Sequence, residues 1–525
     1  MRITNSMVTA NTKANININK YNSDKLNTMT ASGQKITRPS DDPVIAIRAL
    51  RFNTTLSQLN QYHDKNIPDA TAWLKTTETA LSQTDAMYDS ILQDLTTGSN
   101  DTNTATDRQK ILANLKGIRD EFYATGNADY AGRTVFTGYR TGESLTFLST
   151  DTDLKDTYRI TQNITSDDLR EMTYVKGSPN GVETEVKSFG VTYVRLAYDN
   201  CDPDGQAPTF NIYKMDPETG IKTKVDQLDN ISVQSIAGMN QNQIDEVYAR
   251  YDNSQHGPYG CYIPETGELL LCPCGINEIE ALEKNGYFLE VEYNKSNWES
   301  GDLRPEHYFA CEKTPNGGTE ADKVQYNFTE EINKKTGEPT GRTIQNFEDQ
   351  DIEIEVSFNQ KVTINTHASD VYSHDIGRDI DYLIRATQDV VDCDEKIGKL
   401  SEKLAKATAE DDKKAIQKEI DAAKKEWSLK KDKMQKLFSK GLDTFQDYAD
   451  NNNKAIADIG SMVSRLNITK ERVSDQLMSF TELADQNINI NLTDAAIDLS
   501  NANLALQAAQ LAASKIAQQT LLNYL

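Results

Sequence analysis

The chain has 525 residues with 80 acidic against 56 basic side chains, a formal net charge of −24. At about 150 residues per domain, this length predicts about three or four domains. A chain this acidic repels nucleic-acid phosphates, and it contains no run of about 18 apolar residues that could span a bilayer. Its first twenty residues lack a continuous apolar region and a small-residue cleavage site, so we expect no cleaved secretory signal. The composition excludes membrane-spanning and nucleic-acid-binding proteins and indicates a large, acidic, soluble one.

The first part of the chain, to about residue 147, has the periodicity of helices. Apolar residues recur at steps of three and four across residues 70–95 and again across 111–123, where the pattern ends near Gly126, a plausible C-cap. Near the N-terminus a further stripe with this spacing, interrupted at Asn17, comprises Ile3, Met7, Ala10, Ala14 and Tyr21. These patterns predict amphipathic helices with one apolar face each.

From about residue 148 to 366 the apolar period falls to two. Residues 287–293 and 352–358 alternate apolar with polar side chains, which is typical of half-buried strands. The tetrapeptide Pro-Glu-Thr-Gly occurs at 217–220 and 264–267 between apolar residues, as a type I turn with a glycine bulge requires. We therefore predict a β-rich region of hairpins and small sheets, and leave open whether it is one domain or two.

The helical period returns at about residue 370 and continues to the C-terminus. Charged residues surround apolar seams within 397–407 and 416–437, and residues 408–412 break their phase. This pattern predicts either two helices folded as a hairpin or one helix with a stutter. The last segment carries a heptad seam with alanine at alternate positions: Leu492, Ala495, Leu499, Ala502, Leu506, Ala509, Ala513 and Ile516. Such a narrow seam requires a partner helix.

The two ends of the chain carry opposite charge. Residues 1–37 hold five bases and one acid, a net of +4, whereas residues 476–525 hold one base and four acids, a net of −3. Because each end also has an apolar stripe without a partner, we predict that the ends pair, within one subunit or between subunits.

The sequence contains little that indicates catalysis. Dinucleotide-binding, P-loop, nucleophile-elbow and HExxH motifs are absent, and the five histidines are scattered at positions 63, 256, 307, 367 and 374. The adjacent Asp41 and Asp42 could form an acid–base pair, but their position between Pro39 and Pro43 fits the capping of a helix better. We therefore expect no catalytic residue and no cofactor.

The best candidate metal site is Cys272-Pro-Cys274, with Cys261, Cys311 or His256 as further ligands. Structural zinc sites usually separate their cysteines by two or more residues, so this spacing does not follow the usual pattern. A disulfide within the middle region and simple buried or free thiols remain the alternatives.

One segment carries a specific resemblance. Residues 32–43, Ser-Gly-Gln-Lys-Ile-Thr-Arg-Pro-Ser-Asp-Asp-Pro, resemble the N-terminal signature of the flagellin superfamily in its hook-associated form; filament flagellins usually carry an Ala-Ala-Asp-Asp-Ala-type stretch here. The signature positions in this chain are Arg38, Pro39, Ser40, Asp41, Asp42 and Pro43. The segments 1–4, 61–62, 73–74 and 521–525 also resemble the hook–filament junction family, FlgL, although Asn523 replaces its usual acidic residue. The resemblance covers about 1–145 and 450–525, and the middle exceeds what typical members carry.

The resemblance implies an α+β multidomain fold, a flagellin-like coiled-coil bundle of N- and C-terminal helices with an inserted β-rich domain. An N-terminal helical tail for inner assembly would span 1–37, and the N-terminal helical part of a rod would span 38–147. The inserted outer domain would span 148–369. A coiled-coil region returning to the rod would span 370–475, and a C-terminal helical tail for inner assembly would span 476–525. The two stripes at the chain ends would be the assembly interfaces.

The resemblance further implies a non-enzymatic structural subunit, exported by the flagellar type III system with help from a cytoplasmic chaperone. It would form a ring of identical subunits between a FlgK-type hook-associated protein and flagellin, outside the cell. A disulfide in the middle region would then have to form after export, because a cross-linked loop would not thread a narrow channel.

Three alternatives remain open. The chain could be a filament flagellin, against which the Pro-Ser-Asp-Asp-Pro segment argues. Its outer domain could carry a displayed enzyme, or it could act as an adhesin through aromatic residues suited to stacking on sugars. These aromatics serve equally well as sheet core: Tyr259, Tyr262, Tyr287, Phe288 and Trp298.

Overall fold

A computed structural model describes residues 5–522, except 179–180, 202–207, 217, 220, 229, 254–258, 333–335, 337–338 and 346–349. Its α-helices, in chain order, are α1 Asn5–Ser32, α2 Pro43–Gln61, α3 Ile67–Gly98, α4 Ala105–Phe122, α5 Gln241–Ala249, α6 Pro273–Lys284, α7 Ala368–Val371, α8 His374–Lys406, α9 Glu410–Ile488 and α10 Leu492–Leu522. A π-helical turn, Tyr62–Asn66, lies between α2 and α3.

Seventeen strands are assigned within the described residues. They are β1 Asp129–Tyr130, β2 Arg133–Thr134, β3 Thr157–Ile164, β4 Leu169–Lys176, β5 Lys187–Arg195, β6 Thr209–Met215, β7 Lys222–Gln227, β8 Ile231–Val233, β9 Gly260–Ile263, β10 Glu268–Leu271, β11 Tyr287–Lys295, β12 Ala310–Thr314, β13 Val324–Tyr326, β14 Phe328–Ile332, β15 Pro339–Gln345, β16 Glu353–Ser357 and β17 Gln360–Thr363. Helices at both ends and strands between them confirm the predicted α+β class.

The chain divides into two compact units. The first consists of residues 1–71, 353–362 and 462–525, and the second of residues 72–352 and 363–461. The predicted boundaries at 37, 147, 369 and 475 remain a prediction. Within the described residues, no helix is both long enough and apolar enough to cross a membrane.

The second unit contains two larger sheets, as the alternating pattern predicted. A five-stranded sheet has the order β4-β5-β10-β9-β8, and a six-stranded sheet has the order β13-β12-β3-β11-β6-β7. Neighbouring strands are antiparallel except β8 and β9, which run parallel. Helices α5 and α6 lie within this region and were not predicted, because nine and twelve residues give too few turns for the period to stand out.

The second Pro-Glu-Thr-Gly segment connects β9 and β10 as an antiparallel hairpin, as predicted. Gly267 has φ of +61°, and a Cβ there would lie 2.1 Å from the carbonyl oxygen of Tyr198. Glycine is therefore required both for the backbone conformation and for the close approach. Pro217 and Gly220 of the first copy lie outside the described residues.

The helical part of the second unit packs around aromatic side chains. The ring of Phe122 on α4 makes edge contacts with Tyr88, Tyr123 and Tyr372, with centroid distances of 5.4, 5.3 and 6.0 Å. Helices α4 and α8 are also joined by the Arg119–Asp381 ion pair, with 3.1 Å between Nε and Oδ1. Aromatic packing and ion pairing thus both connect segments that are distant in sequence.

The charged segment after residue 380 forms a helical hairpin. Helix α8 ends at Lys406 and α9 begins at Glu410, so the break in phase separates two helices and the stutter alternative is wrong. Leu400 packs with Ile420 and Ala423 in a small buried core, flanked by half-buried Ile397, Leu404 and Ile416. These are the apolar positions that the two seams predicted.

Candidate assembly surface

The two terminal helices, α1 and α10, pack against each other in the first unit. Gln34 and Asn489 form an antiparallel bridge, and Ser23 Oγ donates a hydrogen bond of 2.6 Å to Asn503 Oδ1. Moving back along α1 therefore corresponds to moving forward along α10, so the helices are antiparallel. The predicted pairing of the chain ends is present within one subunit, although no ion pair among the described residues joins these two helices.

The predicted C-terminal stripe supplies the contact face of α10. Half-buried or buried residues along this helix follow the predicted heptad seam: Ala495, Leu499, Ala502, Leu506, Ala509, Ala513 and Ile516. Leu492 is an exception, with 59% of its side chain exposed. A groove lined by Tyr21, Leu499 and Leu506 remains between the two helices, so the seam is incompletely filled.

The predicted N-terminal stripe does not supply the contact face of α1. Met7, Ala10 and Ala14 are exposed, and Ile3 lies outside the described residues. Tyr21 is also exposed, although it lines the groove beside Leu499 and Leu506. The half-buried residues instead include polar side chains: Val8, Thr12, Ile16, Asn19, Ser23, Leu26, Met29 and Thr30. An apolar pattern alone could not find this face, because it includes polar side chains such as Ser23, which hydrogen-bonds to Asn503 on α10.

Helix α10 has a second apolar stripe that the sequence analysis missed. Ile497, Leu504 and Leu511 recur every seven residues and are 55%, 60% and 64% exposed. Helix α2 also exposes apolar side chains, those of Val44, Ile47 and Leu50. The signal that could have found the stripe on α10 is its regular heptad spacing, which runs parallel to the predicted seam. A helix that is apolar on two faces requires a second partner to bury the free face.

The signature segment forms a corner between α1 and α2. Gly33 has φ of +72° and ends α1 by donating from its N–H to the carbonyl of Met29 at 2.9 Å. The Lys35 N–H donates to the carbonyl of Ile488 at 2.7 Å, and the Ile490 N–H donates to the carbonyl of Gly33 at 3.0 Å. This corner therefore joins the start of α2 to the break between α9 and α10.

The two aspartates of the signature act through the backbone, as the capping hypothesis predicted. Asp42 Oδ1 accepts hydrogen bonds from the N–H groups of Val44 and Ile45 at 2.9 and 3.2 Å, with Pro43 at the first helical position. Asp41 Oδ2 accepts from the N–H of Arg38 at 2.9 Å. The backbone N–H groups of Arg38 and Thr37 lower the pKa of the Asp41 carboxyl. Arg38, Pro39 and Ser40 are exposed at this corner.

The candidate metal site in the middle region is not assembled. Cys272 and Cys274 form a disulfide, so their thiolates are not free to ligate zinc. Cys261 and Cys311 are buried free thiols, and His256 lies outside the described residues. No cluster of metal-ligating side chains was found among the residues described. Because only one residue separates the bonded cysteines, this cross-link adds little width to an extended chain, and the reason for expecting it only after export does not apply.

The aromatic residues considered for sugar stacking do not form one exposed cluster. Tyr262 and Trp298 are buried, Tyr259 and Tyr287 are half-buried, and Phe288 is 45% exposed. The indole of Trp298 stacks on Phe147 at 4.8 Å between centroids and donates to the carbonyl of Asp156 at 3.1 Å. Tyr262 and Trp298 thus serve as core.

The N-terminal part of the chain matches a known protein family. Residues 3–141, which include the signature corner and α1, match the family model described as the bacterial flagellin N-terminal helical region. Residues 3–141 are thus similar to the N-terminal helical region of bacterial flagellins. The predicted resemblance is therefore confirmed for the N-terminal region.

Curated relatives of the chain include two proteins named flagellar hook-associated protein 3. The one from Salmonella typhimurium is 30% identical over 142 residues, which is 27% of this chain and 44% of the relative. The one from Escherichia coli is 30% identical over 112 residues, covering 21% and 35%. A flagellin from Clostridium tyrobutyricum is 29% identical over 127 residues, covering 24% and 33%. The matches span less than half the length of each of these relatives.

Solved structures similar to the chain carry related descriptions. A putative flagellar hook-associated protein from Vibrio parahaemolyticus is 12% identical, with 86% of this chain and all of that one covered and a TM-score of 0.35. FlgL from Xanthomonas campestris is 10% identical, with 82% and 99% covered and a TM-score of 0.28.

Proposed function

We propose that this chain is a structural subunit of the bacterial flagellum, the junction protein between the hook and the flagellin filament, assembled through its terminal helices. The observation that carries the proposal is the exposed stripe of Ile497, Leu504 and Leu511 on a helix whose other face already packs on α1. Two relatives named hook-associated protein 3 favour the junction role over other flagellar positions.

The free stripe supplies the driving force for assembly. Fully burying an aliphatic side chain of this size stabilises a complex by about 1.5 kcal/mol or more. Three such side chains on α10, together with Val44, Ile47 and Leu50 on α2, form apolar surface that one subunit leaves exposed to water. Neighbouring copies in a ring, a FlgK-type hook-associated protein and flagellin are the proposed partners, and a cytoplasmic chaperone would cover the stripe before type III export to the cell exterior.

The second candidate function is a filament flagellin. One relative, from Clostridium tyrobutyricum, is named flagellin, but the two relatives named hook-associated protein 3 favour the junction role. The Pro39-to-Pro43 segment distinguishes the candidates, since it follows the hook-associated form of the signature. Copy number decides between them, because a junction ring needs few subunits and a filament needs many.

The assembly surface can be tested with a triple variant, Ile497→Ser, Leu504→Ser and Leu511→Ser. In a strain that lacks the native gene, we expect the variant to be exported but its amount in sheared flagella to fall at least about 100-fold, because three interface side chains lose their burial. The matched control is Val182→Ser, Val225→Ser and Val324→Ser, three exposed apolar residues of the second unit. Equal incorporation of both variants would contradict the proposed surface.

Deletion of the gene tests the position in the flagellum. Complete hooks without filaments, with unassembled flagellin shed into the medium, are expected for a junction protein. Missing filaments without shed flagellin would identify the filament subunit instead. Normal filaments would overturn both candidates.

A further inference from the structure

The disulfide between Cys272 and Cys274 lies at the first turn of α6, at the end of strand β10. The two cysteines differ in access to solvent, because the Cys272 side chain is fully buried whereas Cys274 is exposed. Because Cys272 has no exposed surface, a nucleophile from solution can reach the disulfide only from the side of Cys274. The course of thiol–disulfide exchange depends on which sulfur can be reached. Here an attacking thiolate would bond to Cys274, and Cys272 would be the leaving group.

The buried sulfur is placed to act as the leaving group. Cys272 is the N-cap residue of α6, and its Sγ accepts a hydrogen bond from the N–H of Gly275 at 3.4 Å. The first turn of a twelve-residue helix favours negative charge at this position. A thiolate expelled at Cys272 would remain in place and keep this hydrogen bond.

The short span of the cross-link allows it to open without unfolding the chain. A bond between residues two apart closes a very small loop, so it restricts the unfolded chain little and contributes little to the stability of the fold. Strand β10 and helix α6 hold the two sulfurs near each other after the bond breaks. The same geometry therefore favours both opening and reclosure.

The four other cysteines are unsuited to such exchange. Cys201, Cys261, Cys311 and Cys393 are buried, and burial raises the pKa of each thiol, to about 11 for Cys201 and Cys393. Thiols held in this way are mostly protonated at neutral pH and react slowly.

From this arrangement we propose that the Cys272–Cys274 pair is a reversible modification site that exchanges with low-molecular-weight monothiols through Cys274. The thiolate of the monothiol forms a bond to Cys274 Sγ as the bond between the cysteines breaks, and the electron pair leaves on Cys272 Sγ. A second monothiol attacks the sulfur of the first one, releasing the monothiol's own disulfide and the Cys274 thiolate. The two protons of the monothiols end on the two cysteines, so the protein is reduced and the monothiols are oxidised. The proposal does not depend on the junction role.

Reduced glutathione added to the oxidised full chain tests the proposal. After an acid quench, peptide mapping should find glutathione on Cys274 and a free thiol on Cys272 under conditions in which the melting temperature is unchanged. Oxidised glutathione added to the reduced chain should reclose the pair and leave the other four cysteines unmodified, with a rate difference on the order of 100-fold. Glutathione on Cys272, or no reaction in the native chain, would overturn the proposal.

Two single variants provide matched controls. In Cys272→Ser, the remaining Cys274 should take glutathione from oxidised glutathione and keep it, because no resolving thiol is present. In Cys274→Ser, Cys272 should stay unmodified in the native chain. Modification of Cys272 in the second variant at the rate seen for Cys274 in the first would contradict the assigned direction of attack. If either variant fails to fold, the experiment on the native chain still decides.

Discussion

At the scale of single residues, the fold lowers the pKa of one histidine of the second unit, His307. His307 is half-buried, and its Nε2 hydrogen-bonds to the carbonyl of Ser144 at 3.1 Å. Burial and the nearby cations of Arg140 and Arg304 lower the pKa of His307 to about 4, although Ser144 and Glu143 oppose the change. The fold therefore holds this imidazole neutral where an unfolded chain would protonate it.

The first prediction concerns the pH dependence that follows from this shift. His307 binds a proton near pH 6.5 in the unfolded chain but only near pH 4 in the folded chain. Its contribution to the free energy of unfolding is therefore fully present above about pH 6.5 and is lost as the pH drops towards about 4. With allowance for solvent screening of a half-buried group, His307 should account for about 2 kcal/mol of this loss. Urea denaturation at several pH values across this range measures how the free energy of unfolding changes with pH, which is the slope predicted here.

His307→Gln is expected to flatten the slope between about pH 6.5 and 4. Some slope should remain, because burial also lowers the pKa of His374. His63→Gln, in the first unit, is the control and should leave the slope of the second unit unchanged. A His307→Gln chain with the full native slope would contradict the assignment.

At the scale of elements, the α8–α9 hairpin shows how a local pattern becomes tertiary packing. The seams of the two helices meet in a core in which Ile420 is 3% and Ala423 1% exposed. The arrangement needs only a short connection at residues 407–409, because the helices are consecutive in the chain.

The second prediction is that Ile420→Ala loosens this hairpin. Removing a buried aliphatic side chain leaves a cavity and costs about 2–4 kcal/mol. Hydrogen exchange of the amides at 397–423 should therefore become faster, while exchange in the sheets stays unchanged. Ile468→Ala, at a position 65% exposed, should change stability by less than about 0.5 kcal/mol. Unchanged exchange in the hairpin would show that this core does not hold it together.

At the scale of the whole molecule, the terminal helices differ from the other long helices in how little they bury. Of the α10 seam only Ala495 is buried, whereas α3 contains the fully buried Leu81, Tyr88, Ile91 and Leu95. Alanine side chains bury little apolar area, so the α1–α10 pair gains little to offset the entropy cost of ordering two helices.

The third prediction is that α1 and α10 exchange their amide hydrogens rapidly in the free chain and slowly after assembly. Partner surfaces would bury the free stripe of α10 and so add the missing stabilisation. Helix α3 serves as the internal reference and should be protected in both states. Strong protection across residues 490–520 in the free chain would contradict this prediction.

Features set by local spacing could be predicted from the sequence. The long helices, strands β11 and β16, the break between α8 and α9 and the cap at Asp42 depend on neighbours within a few residues, so their patterns are visible in one chain. The α10 seam was also predicted, because a heptad of leucine and alanine defines one face wherever the partner lies. The N-terminal signature indicated the resemblance to the flagellin N-terminal region in the same way.

Features that depend on distant contacts were settled by the tertiary structure alone. The half-buried face of α1 includes Thr12, Asn19 and Ser23, and only the tertiary structure shows that Ser23 hydrogen-bonds to Asn503 of α10. The exposure of Ile497, Leu504 and Leu511 likewise follows from which face of α10 had already been covered. The cysteine pairing depended on how strand β10 turns into α6. The physical reason is common to all three: spacing along a chain defines faces, but burial is decided by what packs against them.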